Sequence, residues 1–277
     1  MSSYSTPPST CRGQQTLHDV ATSHLIRQFP AGVILRYEAD NDRLEEFILR
    51  NTLITYVMFN FCDAMELIGE HGSLHAYLSD WQIPIVTATE KDEILKNRTR
   101  DDIRHLLKRI QPAVYVPDAG KVYGNDLEYK QRGGLQEYRV RVDWVVNEIE
   151  RQGWEIEVLP LAKAMEPWQF KEMLPWYREH DFQNFAFYAR QYYTHGNRFN
   201  ALRKHTNNLV DIVDPENVFM IALHGKTHLR KLPSRVNGAS GLKQFIDNCD
   251  YDNEQFEQWR TDLEANSLNA GDDLLEY

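Results

Sequence analysis

Short apolar runs recur along the chain, separated by amphipathic stretches. They fall at 33–37, 53–59, 83–87, 113–116, 155–159, 184–188, 218–223 and 235–239. Strand-length runs alternating with helical patterns predict βα units and a parallel sheet. Eight of them fit one closed (β/α)8 TIM-type barrel over residues 16–250; an open α/β sheet is the alternative. Ile103, Leu106, Leu107 and Ile110 share one face of a helix predicted over 101–110. Val142, Val145, Val146 and Ile149 do the same over 138–151, and Gly153 stands where a helix stop is expected. Pro167 and Pro175 predict a short or kinked helix after the fifth run. Residues 1–15, rich in Ser, Thr and Pro, read as a flexible tail, and the acidic segment 251–277 as a surface helix followed by a solvated tail.

In barrels of this kind the chemistry collects where strands end. Glu38 and Asp40 follow the first run, Asn60 and Asp63 the second, and Thr87 and Thr89 the third. Asp118 follows the fourth, Arg190 and Gln191 the sixth, and His224 the seventh, while the eighth carries Asn237 and Ser240. Such a ring can hydrogen-bond a small polar ligand. Each residue also has a plainer reading. Asp40, Asn41 and Asp42 suit the N-cap of a helix, as does Asp63. Asp118 lies in a Pro-Asp-Ala-Gly turn sequence. His224, ahead of Gly225, reads more simply as a satisfied buried histidine. Arg190 is positioned to pair with an acid across the mouth.

The net charge of −10 argues against a surface coated with basic groups for nucleic acid, but leaves room for a local patch. Residues 198–205 (RFNALRKH) and 226–235 (KTHLRKLPSR) are basic islands. The second follows the seventh strand, so His224, Lys226, Arg230, Lys231 and Arg235 are candidates for binding nucleic-acid or ligand phosphates. The alternative is a solvated loop and helix face. Cys11, Cys62 and Cys249 are far apart and form no metal-binding spacing, and the histidines supply none. No metal and no cofactor is expected. No apolar run approaches about 18 residues, so no membrane span is expected. The polar N-terminus lacks a secretory pattern, and the expected location is cytoplasmic.

The block at 71–90, HGSLHAYLSDWQIPIVTATE, resembles the approach to the active site in tRNA-guanine transglycosylases. There a Gly-Gly-Leu-His turn, an aromatic helix, a Trp and a Pro lead into a strand ending in Thr-Asp-Ser-Gly-Gly. Ala88 stands where that family carries a catalytic Asp. Asp118, after Ala113-Val114-Tyr115-Val116-Pro117, takes the place of the Asp that reads the purine edge. Farther on the likeness thins. Leu161-Ala162-Lys163 replaces a Gln-Gly-Gly, and Tyr188-Ala189 replaces a Gly-Gly pair. Residues 218–225 resemble the penultimate strand. In the last, 234–240, Ser240 occupies the nucleophile's place, or Asn237 after a small slip. The family's cysteine-rich zinc site is missing.

The resemblance implies a divergent protein acting on nucleic acid, tRNA or DNA. Its role would be exchange of guanine or 7-deazaguanine, or a non-catalytic accessory task beside a catalytic partner subunit. It implies Asp118 and Ser240 as catalytic positions and Asp118, Thr87, Thr89 and Arg190 as base contacts. Ala88 cannot move a proton, and a Ser attacks only with an activating base. Two other classes stay open: a barrel enzyme for a small phosphorylated substrate, using His224, Lys226, Asp118 and the 238–241 turn, and a non-enzymatic interaction protein.

Overall fold

The architecture is that of a computed structural model, which describes residues 29–194 and 196–268. The predicted tail at 1–15, residue 195 and residues 269–277 lie outside the described residues. Each apolar run overlaps a strand: β1 Gly32–Arg36, β2 Tyr56–Asn60, β3 Ile83–Thr87, β4 Val114–Val116, β5 Glu157–Val158, β6 Asn184–Tyr188, β7 Asn217–Ile221 and β8 Val236–Gly241. They form one eight-stranded sheet in the order β5-β4-β3-β2-β1-β8-β7-β6. All seven pairings are parallel. First and last strands lie side by side, Gly32 to Leu35 against Gly238 to Gly241.

The sheet is curled and TIM-like, but the expected closed barrel is not formed. Between β5 and β6 the ladder reduces to one isolated bridge, Leu161 with Ala186. There Ala186 N–H donates to the Pro160 carbonyl at 2.9 Å and Ala162 N–H to the Ala186 carbonyl at 2.8 Å. The cause is local: β5 has two residues, and Pro160 has no N–H to donate.

Strand alternation separates two layers. Leu35, Val57, Phe59, Val86 and Tyr115 pack with Leu44, Ile48, Leu67, Leu106 and Leu107 from the outer helices. Their alternates Ile34, Met58, Ile85, Val114 and Val116 turn to the concave face and join the other core cluster.

Several of the connecting helices start at side-chain caps. In α1 (Asp42–Arg50) the Asn41 side chain accepts from Leu44 N–H at 3.1 Å. Helices α2 (Phe61–His71), α3 (Leu74–Tyr77) and α4 (Asp92–Asn97) follow. Helix α5 (Arg100–Ile110) opens with a reciprocal Thr99/Asp102 capping box. Helix α6 (Glu128–Gln152) begins ten residues before the predicted start and ends at Gly153 in the left-handed conformation. Pro167 does not break α7 (Pro167–Glu179); it occupies the first turn, where its missing N–H costs nothing, and the helix continues through Pro175. Helices α8 (Phe199–Val213), α9 (Lys226–Leu229), α10 (Lys243–Cys249) and α11 (Asn253–Ser267) complete the described chain.

Two glycines fix the loop after β4. A Cβ on Gly134 of α6 would lie 2.0 Å from the Lys121 carbonyl oxygen, and one on Gly120 would lie 2.3 Å from that of Gly134. Only glycine at both positions lets this loop lie flat on α6.

The acidic C-terminal segment is packed rather than solvated as far as Leu268. Phe256 and Leu263 of α11 are buried. The Glu264 carboxylate accepts the Val33 N–H of β1 at 2.8 Å and is paired with Arg260 at 2.9 Å. Glu264→Ala leaves a buried strand amide without an acceptor. Its unfolding free energy, measured in urea, is expected to fall by about 1.5–3 kcal/mol, the range for hydrogen bonds to charged groups.

Candidate functional site

The C-terminal ends of the strands carry polar groups on the parity that faces the concave side. Arg36 continues Ile34 on β1, and Asn60 continues Met58 on β2. Thr87 follows Ile85 on β3, and Asp118 follows Val114 and Val116 on β4. Asn60, Thr87 and Val116 are register partners across β2, β3 and β4. Asp118 is buried, and its Oδ1 accepts from Lys163 Nζ at 2.7 Å. Lys163 keeps the parity of Leu159 and Leu161 beyond β5, so the pair spans neighbouring strand ends. Burial pushes the Asp118 carboxyl above the usual carboxylate range; Lys163, Arg98 and the Ala119 N–H counter it.

Arg98 is itself buried. It donates to the Ala88 carbonyl at 2.8 Å and stacks over Phe61, 3.9 Å from the ring centroid. Tyr188 of β6 lies within the fields of Arg190, Arg36, Asp118 and Glu90, which joins the two halves of the sheet at one mouth. On the rim Asp63 is raised to about 6, first by burial and then by Glu90, Glu66 and Glu38, against the lowering pull of Arg36. It does not cap α2; no side chain caps that helix.

The predicted residues separate into groups. Asp118, Thr87 and Thr89 come together at the mouth. The two threonine hydroxyls are bonded to each other at 2.9 Å, so part of their capacity is already used. Ser240 is fully buried, in register with Ile34 and Ile221, and its hydroxyl has no hydrogen-bond partner among the described residues. Among the described residues no base is bonded to it. Ala88 packs in the cluster of the helix layer, on the opposite side of the strand from Thr87 and Thr89. Arg190 is exposed on a 3-10 turn (Arg190–Tyr192) after β6.

The chain matches no protein-family model and no curated protein sequence.

The second basic island is largely engaged elsewhere. His224 is buried, donates from Nε2 to the Ala239 carbonyl at 2.9 Å, and meets Trp259 edge-on. Lys226 pairs with Asp262, and Arg230 donates to the Asn266 carbonyl at 3.0 Å, so both tie α9 to α11. Lys231 is exposed. Arg235 precedes β8 and pairs with Asp214 at 3.3 Å, at the end of the sheet opposite the mouth. A cleft of about 700 Å³ does open after β6, β7 and β8, lined by Arg36, Glu38, Arg190, His228, Lys243 and Asp247 among others. Ala222, at its wall, holds a left-handed backbone (φ 64°), which costs a residue with a Cβ about 1–2 kcal/mol. Among the described residues no group of His, Cys, Asp and Glu is arranged to hold a metal ion.

Reading the sequence for strand ends missed Lys163, Arg36, Arg98 and Lys243. For Arg36 and Lys163 a signal existed: each is the polar member that ends an inward-facing i, i+2 series.

Lys163→Met leaves Asp118 buried without its cation. Expected is a loss of about 3–5 kcal/mol at pH 7, the scale for breaking a buried pair. Burial raises the folded carboxyl above its unfolded value, so the folded state takes up a proton first as pH falls. The penalty is therefore present above the folded pKa and fades below it. Urea unfolding at pH 7 and pH 4 is expected to show a smaller loss at pH 4.

His224 has the opposite sense. Burial pushes it from 6.5 to about 4, so from pH 6.5 down to 4 the unfolded chain binds the extra proton. Stability should fall by about 3 kcal/mol over that window from this residue alone. His224→Gln is expected to flatten that part of the profile.

Proposed function

We propose that the protein recognises a guanine-type base, guanine or a 7-deazaguanine, carried by nucleic acid at the mouth of the sheet. The observation that carries this reading is the buried Asp118 carboxylate, directed to the concave face and paired with Lys163. An ionised carboxylate is purely an acceptor. Guanine presents N–H donors on its Watson–Crick edge, and one Asp118 oxygen lies outside the bond to Lys163. Arg36 and Arg190 at the rim supply positive charge for the phosphates that accompany such a base. The resemblance at 71–90 and 111–118 points the same way.

Base exchange in the family that the chain resembles uses two carboxylates. The mouth offers Asp118, and it is the only buried carboxylate there among the described residues. Position 88 faces the helix layer, and Ser240 has no activating base bonded to it among the described residues. We therefore assign a base-recognising, accessory role beside an active partner.

A second reading is favoured by the cleft with Arg36, Arg190, His228 and Lys243. Barrel enzymes often hold a substrate phosphate after the seventh and eighth strands. A small phosphorylated substrate would then bind there, with Asp118 as acid or base.

Titration calorimetry separates these readings. Guanine or 7-deazaguanine is expected to bind the wild type, and Asp118→Asn to weaken it by at least about tenfold, the loss of one charged hydrogen bond. The double variant Asp118→Leu/Lys163→Met removes both charges at similar volume and is expected to stay folded without binding the base. Absence of base binding, with ribose 5-phosphate bound and lost in Arg190→Ala, would establish the second reading instead. Incorporation of labelled guanine into tRNA or DNA by the protein alone would overturn the accessory role.

A further inference from the structure

A second groove, of about 770 Å³, lies beside the mouth and is lined by Tyr123, Met165, Glu166, Tyr192, Arg198 and Lys204 among others. It takes up the first basic island, 198–205, for which the mouth has no use. Its walls come from three loops at the C-terminal end of the sheet and from the first turns of α8, which carry Lys204 and His205. One loop follows Asp118, one contains Lys163, and one follows Tyr188. The three loops thus tie the groove to residues of the mouth.

The lining combines one fixed aromatic platform with positive charge. The Tyr123 ring is 46 % exposed, yet its hydroxyl donates to Asp92, so the ring is held while its surface stays open. Tyr192 and His205 form the floor, joined by a 2.7 Å hydrogen bond. Lys204 is paired with Glu166 at 3.0 Å. The Arg198 side chain makes no hydrogen bond or ion pair among the described residues and is exposed. The volume suits a nucleotide. Fixed aromatic rings beside free cations are the means by which proteins hold unpaired strands, because stacking needs a base out of its duplex.

We infer that this groove receives the nucleotide next to the recognised base in a single strand, its base stacked on Tyr123 and its phosphate near Arg198. The inference rests on the base-recognising role of the mouth and adds the form of the substrate: unpaired nucleic acid entering sideways.

The test measures fluorescence anisotropy with a labelled eight-nucleotide single strand containing one guanine, alongside calorimetry with free guanine. Tyr123→Ala is expected to weaken the strand about tenfold, the effect of one base–aromatic stack, and Tyr123→Phe to retain most of the binding. Arg198→Ala is expected to weaken it and to lower the slope of log affinity against log salt by about 0.7, one single-strand phosphate contact. Neither variant should alter the affinity for free guanine. Unchanged strand binding in both variants would overturn the groove while leaving the mouth intact. So would a duplex of the same sequence binding as tightly as the single strand, or no strand binding at low salt. Weakened strand binding in the groove variants, with free guanine never binding, would uphold the groove and remove the mouth reading.

Discussion

A carboxylate inside a folded sheet stays charged only if a cation and hydrogen bonds offset several kcal/mol of lost hydration. Asp118 meets that condition through Lys163 and the Ala119 N–H, with Arg98 nearby. The mouth is organised by this requirement. Lys163 must reach across from the strand end beside Asp118. The loop between them must lie close on α6, which the glycines at 120 and 134 permit. Arg98 is held by Phe61 and the Ala88 carbonyl, so the turn after β3 is fixed by the same set of charges. Loss of Lys163 leaves the Asp118 charge buried without its counterpart.

The order of elements was readable because it is written in local patterns. All eight strands overlap the apolar runs, and the cap at Asn41 and the stop at Gly153 stand at residues that suit a helix end. Closure was not readable in that way. It depends on a long-range ladder between β5 and β6, which is reduced to one bridge where β5 stops after two residues and Pro160 follows. Nor did apolar periodicity reveal that the acidic segment after residue 251 packs against β1. Its buried Glu264 is the acceptor for a strand amide, a use that looks like a surface charge in one dimension.

The site was legible where parity along a strand decides orientation. Asp118 and Thr87 follow from their strands, and counting by two would have added Arg36 and Lys163. It was illegible where charge partners come from distant elements. Lys226, Arg230 and Arg235 read as a free basic loop, but Asp262, the Asn266 carbonyl and Asp214 occupy them. In the first island Lys204 is likewise paired, with Glu166, but Arg198 faces a groove rather than an acid. Ala88 shows the limit of matching motif words: the residue lies at the expected strand end, with its side chain on the helix side.

The bond from Val33 to Glu264 joins positions 231 apart in the chain, and β1 also pairs with β8. During synthesis the opening strand leaves the ribosome with one flank unmatched and waits for nearly the whole domain. The nascent chain therefore carries a bare sheet edge through most of translation, and its completion is a late, cooperative event. Truncation ahead of α11 would keep the β1–β8 pairing but leave the Val33 amide without its carboxylate and strip away the buried Phe256 and Leu263, so such fragments belong among the species a cell must shield or degrade.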